Sequence, residues 1–355
     1  MRVLFDYKIF FHQKVGGISR YIVNLHKKLL EKNVSSKIYA PIHINKFLND
    51  IKCKENFYLK KKIIFTSRFI NLYNSIMTNF FIKKYKPNII HTSYYNSELI
   101  DHKTAIVVTV YDLIHELFYN IKNDFKKKIL DRADHIICIS RNTLDDLIKI
   151  YNINIKKTSV IYLGINYLNL SEQNNFKLEY PYILYVGDRV KYKNFKVLID
   201  AYSISKMLSK SFKIVCFGGG KFTKEEIAFF LKKKIDLHNL IYIEGDDQIL
   251  INLYNHARAL IITSLYEGFG MTALEAQYLN CPVLSSSTKV TKEILQESAI
   301  YFNSDNIDDV INILEKYLFS ESELYLIKKK GYENSKKFTL QKNAEETIGV
   351  YKKFI

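Results

Sequence analysis

Two successive sets of short apolar runs, separated by amphipathic segments, constrain the fold of this chain more than any other feature. Six runs lie in the first half: RVLFD (2–6), SKIYAP (36–41), NIIHTS (88–93), AIVVTV (105–110), HIICIS (135–140) and SVIYL (159–163). Six lie in the second half: YILYVG (182–187), KIVCFG (213–218), LIYIEG (240–245), ALIITS (259–264), PVLSS (282–286) and AIYF (299–302). Runs rich in Val and Ile, apolar on both faces, are typical of parallel strands buried between helix layers.

Helical patterns such as 18–32 and 141–151 fill the intervals, so each set predicts a doubly wound, Rossmann-like α/β domain. We expect an N-terminal domain over 1–170, a C-terminal domain over 171–338 and a last helix over 339–355. The polar stretch 166–181 is the best linker, and Thr339 is the expected N-cap of the last helix. The periodicity leaves open whether that helix stays on the second domain or crosses back to the first. We expect ligand in a cleft at the carboxyl ends of both sheets.

The chain is strongly basic, with a formal net charge of +17. Nucleic acid, an anionic membrane face or polyanionic small molecules could each explain such an excess. The sequence has no recognition helix, zinc-finger spacing or RNP-type aromatic motif, so we expect no nucleic-acid partner. Two interpretations remain for the excess, a lysine-rich solvated surface and a basic surface that rests on anionic lipid.

The cysteines and the N-terminus indicate a compartment. Cys53, Cys138, Cys216 and Cys281 are far apart and form no C-x-x-C pair, a reduced, cytosolic pattern. The N-terminus reads as a strand and a loop rather than a signal peptide, and no apolar run approaches the roughly 18 residues that span a bilayer. We therefore expect a cytoplasmic protein whose contact with the inner face of the membrane is peripheral.

The stretch SLYEGFGMTALEAQYLN (264–280) carries the most specific signal. It predicts a strand end, a loop with Glu267, and a helix from about Met271 with Glu275 one turn inside. Glycines 268 and 270 permit a close approach of backbone to ligand. The first amides of such a helix form an anion site at the positive end of its dipole. The residues that we expect to bind the anion are Gly268, Phe269, Gly270, Met271 and Thr272.

Two carboxylates beside an anion site indicate a ligand that carries hydroxyls on both sides of a phosphate. Carboxylates repel phosphate but accept hydrogen bonds from hydroxyls, so Glu267 and Glu275 suit a nucleotide sugar, in which a diphosphate joins ribose to hexose. In the alternative interpretation, Glu275 is favoured by the helix dipole alone and EGFG is a plain turn.

Basic residues follow the first strand of the second domain, in VGDRVKYKNF. Arg189 and Lys193 would neutralise a departing diphosphate without a metal ion, and we expect no metal cofactor. The alternative is a solvated basic turn. The adjacent carboxylates of GDDQ (245–248) are expected in a helix-entry loop rather than at a metal.

In the first domain, Gly16 and Gly17 precede a helix and would let backbone amides approach the donor phosphate. Asp112 ends a buried strand in TVYDLIHEL and is a candidate for contact with acceptor or sugar. His115 and His91 lie near strand ends as well, and a histidine at such a place more often packs, caps a helix or bonds to the backbone than takes part in catalysis.

The glutamate segment resembles the E-x7-E motif of retaining GT-B glycosyltransferases of family 4. Further segments resemble the same family: 5–25 its Gly-Gly loop, 109–116 its first-domain motif, 133–140 and 160–165 the end of its first domain, and 182–202 its phosphate-gripping loop. The resemblance implies that Glu275 holds the ribose hydroxyls and that Glu267 contacts the transferred sugar. The family more often has arginine where this chain has Tyr192, and His-Asp where it has Tyr111-Asp112.

The resemblance implies transfer of a hexose, with retention, from a nucleoside diphosphate sugar to an acceptor hydroxyl. We expect a GDP-mannose-type donor and a lipid-linked or surface-polysaccharide glycan as acceptor. Two alternatives stay open: a sugar-nucleotide epimerase of the same fold, and a catalytically silent partner subunit that binds nucleotide sugar or lipid.

Overall fold

The chain divides into two compact units, which we describe from a computed structural model. The structure describes residues 1–49, 51, 55–60, 66–99, 103–121, 124–166 and 177–355. Unit 1 comprises Met1–Gly164 together with Thr339–Ile355, and unit 2 comprises Ile165–Phe338. Most of the predicted linker 166–181, including the predicted boundary between residues 170 and 171, lies outside the described residues, as does Cys53.

Unit 1 is built on a six-stranded parallel sheet. Its strands are β1 Arg2–Phe5, β2 Ser35–Ile38, β5 Ile89–Thr92, β6 Ala105–Val110, β7 His135–Cys138 and β8 Thr158–Val160, in the spatial order β2-β1-β5-β6-β7-β8. A separate two-stranded sheet pairs β3 Ile42–His43 with β4 Phe57–Tyr58. The helices are α1 Lys8–His12, α2 Gly17–Glu31, α3 Lys46–Asn49, α4 Ser67–Tyr85, α5 Ile114–Phe118, α6 Asp124–Arg132 and α7 Arg141–Tyr151.

Unit 2 repeats this plan on a second six-stranded parallel sheet. Its strands are β9 Tyr182–Val186, β10 Lys213–Phe217, β11 Leu240–Ile243, β12 Leu260–Ile262, β13 Val283–Ser286 and β14 Ile300–Phe302, in the order β11-β10-β9-β12-β13-β14. The helices are α8 Phe195–Ile204, α9 Lys206–Ser211, α10 Lys224–Lys232, α11 Asp247–His256, α12 Met271–Tyr278, α13 Lys289–Leu295, α14 Ile307–Leu318 and α15 Glu321–Ser335; α16 Leu340–Tyr351 follows in unit 1.

The predicted α/β fold is confirmed, because each of the twelve apolar runs overlaps a strand, and both ends of that strand lie within three residues of the predicted bounds. The strands are buried on both faces, as at Ile90, Val107 and Ile261. In each sheet the order of strands reverses once, between β1 and β5 in unit 1 and between β9 and β12 in unit 2. At such a switch point the loops on the two sides diverge and leave a crevice at the carboxyl ends of the strands.

The C-terminal helix α16 returns to unit 1, which the periodicity could not decide. It packs against α2, and the Asn343 side-chain amide donates to the Tyr162 carbonyl at 2.8 Å. The Thr339 hydroxyl accepts a hydrogen bond from the Lys342 amide, which confirms Thr339 as the N-cap. Two chain segments distant in sequence, α2 and the stretch after β8, therefore hold the last helix in place.

His91 is a core residue that fastens α16 to the sheet of unit 1. It is fully buried; its Nδ1 lies 2.5 Å from the Tyr351 hydroxyl, and its Nε2 lies 2.8 Å from Thr109 Oγ1. Burial lowers the pKa of His91 to about 3. Both ring nitrogens are used in structural hydrogen bonds, which identifies His91 as a neutral, packed histidine.

Buried histidines should make unit 1 sensitive to acid. Burial lowers the pKa of His26, His43 and His135 to about 4, as it lowers that of His91 to about 3. The unfolded chain protonates its histidines near pH 6.5. Below that pH, these histidines bind protons in the unfolded chain but stay neutral in the folded protein. The free energy of unfolding therefore falls as the pH falls, by up to about 1.4 kcal/mol per pH unit for each histidine.

Glutamine in His91→Gln keeps a donor and an acceptor but does not titrate. The unfolding free energy of this variant should therefore change less steeply with pH, by up to about 1.4 kcal/mol per pH unit, because one proton fewer is bound on unfolding. Urea unfolding of both proteins at several pH values from 7 to 5 measures the slopes. Equal slopes would mean that His91 is protonated in the folded state.

Candidate active site

The loops that follow β9 and β12 are tied together at the switch point of unit 2. β9 and β12 are neighbours, with Leu184 opposite Leu260. The Thr263 hydroxyl donates to the Lys193 carbonyl at 2.7 Å, and the Leu265 amide donates to the Tyr192 carbonyl at 2.8 Å. The sheet therefore brings two loops, 70 residues apart in the chain, into one fixed arrangement.

A half-buried ion pair joins these loops. Lys193 Nζ donates to Glu267 Oε1 at 2.6 Å, and the two side chains are 20% and 15% exposed. The Ser264 hydroxyl donates to the same carboxylate oxygen at 2.6 Å. Attraction between opposite charges is stronger here than at an open surface because less water screens it. The structure thus brings together the predicted Lys193 and Glu267, and adds Ser264, which the sequence reasoning missed.

Helix α12 starts beside Glu267, as the motif predicts. Gly270 is its N-cap in the left-handed conformation, with φ +103°, and a Cβ built on Gly270 would meet nothing within 4 Å. Phe269 is buried with its ring edge-on to Phe338, at 5.8 Å between centroids, so it anchors the loop in the core. Asn280, left-handed at φ +56°, follows the last turn, and Pro282 stands two residues beyond. Met271 and Thr272 are half-buried in the first turn.

Glu275 lies in the second turn of α12 and is half-buried. Tyr254, on α11, is a neighbour that the sequence analysis did not single out: burial and, second to it, the Glu275 carboxylate raise the pKa of Tyr254 well above its usual value. The two predicted carboxylates therefore differ in surroundings. Glu267 is paired with a cation, and Glu275 lies near a buried phenol.

Arg189 is held by a set of contacts of its own inside unit 2. Its guanidinium donates to Glu226 at 2.6 Å and to the carbonyls of Gly218, Gly220 and Lys221 at 3.3, 2.8 and 3.2 Å. The side chain is only 3% exposed. The sequence reasoning missed Glu226, although T-x-x-E at 223–226 is the signature of the capping box that Glu226 completes on α10. Arg189 thus ties the loop after β9 to the loop after β10.

In unit 1, the predicted glycines precede α2. Gly16 is extended, and a Cβ on it would meet the Gln13 side chain, whereas a Cβ on Gly17 would meet nothing within 4 Å. Asp112 lies at the end of β6, where its Oδ1 accepts a hydrogen bond from the Ile114 amide at 3.1 Å. Burial raises the pKa of Asp112. His115 is exposed on α5.

Two buried polar groups of unit 1 were not predicted. Asp6, at the end of β1, accepts hydrogen bonds from the Ser93 amide at 3.0 Å and the Asn96 side chain at 2.7 Å, which joins the two loops at the switch point. Glu116 pairs with Lys126 at 2.8 Å. The signal for Asp6 was a polar residue directly after the apolar residues of a strand, a pattern that several other strand ends share.

A cavity of about 570 Å³ lies close to these groups in unit 1. Three basic side chains and several aromatic ones line it, together with Glu98, which accepts a hydrogen bond from Tyr7 at 2.7 Å. The basic residues are Lys8, His12 and Arg68, and the aromatic residues are Phe11, Tyr94, Tyr95 and Phe125. This lining suits a ligand that carries both negative charge and flat or apolar surface.

Within the described parts of the chain, no group of three His, Cys, Asp or Glu side chains could hold a metal ion. Asp246, from the predicted helix-entry segment, caps α11 by accepting bonds from the amides of Gln248 and Ile249. No helix among the described residues is both long and apolar enough to cross a membrane.

Two family models match the chain in succession. "Glycosyltransferase Family 4" matches residues 15–167, and "Glycosyl transferases group 1" matches residues 167–338. The O-antigen chain mannosyltransferase RfbU of Salmonella typhimurium is 29% identical over 63% of this chain and 63% of its own length. The N-acetylgalactosamine-N,N'-diacetylbacillosaminyl-diphospho-undecaprenol 4-alpha-N-acetylgalactosaminyltransferase of Campylobacter jejuni is 26% identical over 65% of this chain and 64% of its own length. The chain thus matches less than two thirds of each of these relatives.

The structure of Anabaena Alr3699/HepE in complex with UDP and glucose matches 99% of this chain and 100% of its own, with a TM-score of 0.77 at 13% identity. With two doubly wound units, the chain has the fold class of the GT-B glycosyltransferases. It belongs to the glycosyltransferase family that these two models, together matching residues 15–338, describe.

The glycine run 218–220 offers a test of how tightly the loops around Arg189 are packed. All three glycines are left-handed, with φ from +70° to +81°. A Cβ on Gly219 would lie 2.8 Å from the Gly187 carbonyl oxygen, whereas a Cβ on Gly220 would meet nothing within 4 Å. Gly220→Ala should cost about 1–2 kcal/mol of stability through its backbone conformation alone. Gly219→Ala should cost clearly more, and thermal unfolding that ranks the two equally would contradict this packing.

Proposed function

We propose that this chain transfers a hexose, with retention of configuration, from a nucleoside diphosphate sugar to an acceptor hydroxyl. The observation that carries the proposal is the Lys193–Glu267 pair, held 2.6 Å apart beside the start of α12 at the switch point of unit 2. A cation, a helix N-terminus and a carboxylate at one point suit a ligand that joins phosphate to a hydroxyl-rich sugar.

In this proposal Lys193 and the first turn of α12 bind the diphosphate. Negative charge grows on the diphosphate as its bond to the anomeric carbon breaks, and Lys193 together with the amides of residues 269–272 stabilises it. Lys193 would then exchange its present partner, Glu267, for phosphate. Glu267 would be released to accept hydrogen bonds from the hexose, while Ser264 keeps the carboxylate in place.

Glu275 is proposed to accept hydrogen bonds from the ribose hydroxyls of the donor. Its position in the second turn of α12 is one turn past the amides assigned to the phosphates. The order along the motif, Glu267, helix N-terminus, Glu275, then follows the order of the donor, hexose, diphosphate, ribose. Gly16 and Gly17 of unit 1 stay predicted donor-phosphate contacts, and the open space at Gly17 is compatible with such an approach.

The chemical step needs no strong protein base. The bond between the anomeric carbon and the diphosphate oxygen breaks, a bond from the same carbon to the acceptor oxygen forms on the same face, and the acceptor proton passes to the departing phosphate oxygen. Positioning and charge stabilisation are then the main contributions of the protein. Asp112, whose pKa burial raises, remains a candidate for contact with the acceptor or the sugar. We propose that no metal cofactor takes part.

We propose a lipid-linked or surface-polysaccharide glycan as the acceptor, with unit 1 as the acceptor side. The Campylobacter relative is named for a diphospho-undecaprenol substrate, and RfbU is named for an O-antigen chain. The basic and aromatic cavity of unit 1 suits an anionic, sugar-bearing headgroup. The net charge of +17 supports peripheral contact with an anionic membrane at the inner face of the cell. The name of RfbU, a mannosyltransferase, also supports mannose as the transferred sugar, and we propose a GDP-mannose-type donor.

Thermal unfolding of the full chain against GDP-mannose, UDP-glucose, UDP-GlcNAc, GDP and UDP, without added metal, tests the donor site. A ligand at about 100 times its dissociation constant stabilises the folded state by about 2.7 kcal/mol. We expect stabilisation by guanine nucleotides, reduced in Glu275→Ala and Lys193→Ala and retained in Glu244→Ala, a control in the second domain outside the motif. Stabilisation by none of the five would contradict the proposal, and stabilisation by uridine nucleotides alone would correct the donor base.

Transfer assays separate the roles of the two cations. Lys193→Ala should lower kcat by about 100-fold or more, because its contact with phosphate strengthens in the transition state. It should lower the melting temperature less than Arg189→Ala does, because Glu267 keeps the Ser264 hydroxyl as a donor. Arg189→Ala leaves a carboxylate and three carbonyls without their donor and should cost about 2–3 kcal/mol of stability. A stable Arg189→Ala protein that has lost only kcat would instead assign Arg189 to the departing phosphate, as the sequence predicts.

A further inference from the structure

Helix α4, Ser67–Tyr85, turns a mixed polar and apolar side inward, where Ile82 is buried as well, and leaves a large apolar side in solvent. Asn74 and Thr78 are buried, and the Asn74 side chain bonds to both the amide and the carbonyl of Ile42, each at 2.9 Å. On the outside stand five large apolar residues that are between 46% and 75% exposed. They are Phe69, Leu72, Tyr73, Ile76 and Phe80. The solvent side of a helix on the surface of a water-soluble domain is typically charged and polar instead.

These five residues form a single stripe. Their spacing, i, i+3, i+4, i+7 and i+11, places them along one side of a helix that is 19 residues long. Scattered exposed apolar residues are normal, but a continuous stripe on one helix marks a surface that is covered by something apolar. The inward hydrogen bonds of Asn74 fix the rotation of the helix, so the stripe cannot turn inward without breaking them.

The charges of α4 indicate what covers the stripe. The helix contains Arg68, Lys83 and Lys84, and it contains no Asp or Glu. Lys83 and Lys84 are exposed and continue the side of the helix that carries the stripe. A second copy of this helix would bring cations towards cations, at a cost in free energy. A bilayer with anionic headgroups would bury the apolar side chains and pair the cations at the same time.

We propose that the outer side of α4 docks on an anionic lipid bilayer, with the helix axis in the membrane plane. The inference deepens the peripheral membrane contact of the proposed function and depends on that function only for its purpose. Arg68 and Asn71, at the start of α4, also line the cavity of unit 1. Docking through the stripe would therefore bring this cavity beside the lipid headgroups, where a lipid-linked acceptor is found.

Flotation of the full chain with vesicles tests the docking. The probes are vesicles of phosphatidylcholine alone and of phosphatidylcholine mixed with phosphatidylglycerol. The wild type should float with the mixed vesicles and far less with the neutral ones. Phe69→Ser with Phe80→Ser, and separately Lys83→Gln with Lys84→Gln, should each lower partitioning by about ten-fold or more. Tyr325→Ser with Leu326→Ser, a similarly exposed apolar pair on α15, should leave partitioning unchanged.

Three results would overturn the proposal: no flotation of the wild type, equal flotation of the Phe69 and Phe80 double variant, or equal loss in the α15 control. Sedimentation of the same proteins tests the rival occupant, since a dimer that the double variant abolishes, with vesicle binding intact, would assign the stripe to a second copy. Melting temperatures show that each variant folds. The donor-induced thermal shift, measured in parallel without vesicles, keeps the two proposals separable, because docking requires no donor.

Discussion

The ion pair between Lys193 and Glu267 is the interaction on which the organisation of the candidate site depends. It joins two loops that only the parallel sheet brings together, one after β9 and one after β12. Its strength comes from partial burial, and its position comes from backbone bonds through Thr263 and Leu265. In the proposed mechanism, this pair keeps a lysine available for phosphate and neutralises a carboxylate that would otherwise repel an approaching diphosphate. Ligand binding would then be an exchange of partners rather than the burial of a new charge.

The two predicted cations that follow β9 have different partners in the structure. Arg189 and Lys193 lie four positions apart, yet Arg189 is paired with Glu226 and three carbonyls while Lys193 is paired with Glu267. The flat, five-donor guanidinium suits a site that needs several fixed acceptors. The single ammonium group of lysine can leave one carboxylate for another anion with little rearrangement. This difference supports the proposal that Lys193 is the cation that moves to the phosphate.

The strands were the most predictable part of the fold, because apolar runs flanked by helical patterns leave little choice but a parallel sheet. The short strands β3 and β4, two residues each, carry no periodicity and went unnoticed. In the site, residues close together in the motif were predictable, and the capping of α16 by Thr339 was as well. Partners that are distant in sequence were not predictable. The pairing of Arg189 with Glu226, and that of His91 with Tyr351, depends on tertiary packing that one sequence does not display.

The orientation of helix α4 is also set by tertiary contacts that the sequence alone does not display. In the sequence, SRFINLYNSIMTNFFIKKY reads as an ordinary mixture of apolar and polar residues, because apolar residues occur on both sides of the helix. Only the inward hydrogen bonds of Asn74 reveal which side faces the domain. Once that is known, part of the basic excess can be placed: cations lie at both ends of an exposed apolar stripe. The stripe and the cations supply apolar burial and electrostatic attraction, the two forces that hold peripheral proteins on anionic lipid. The lysine excess alone could not distinguish a membrane surface from a solvated one, whereas its placement beside the stripe favours the membrane.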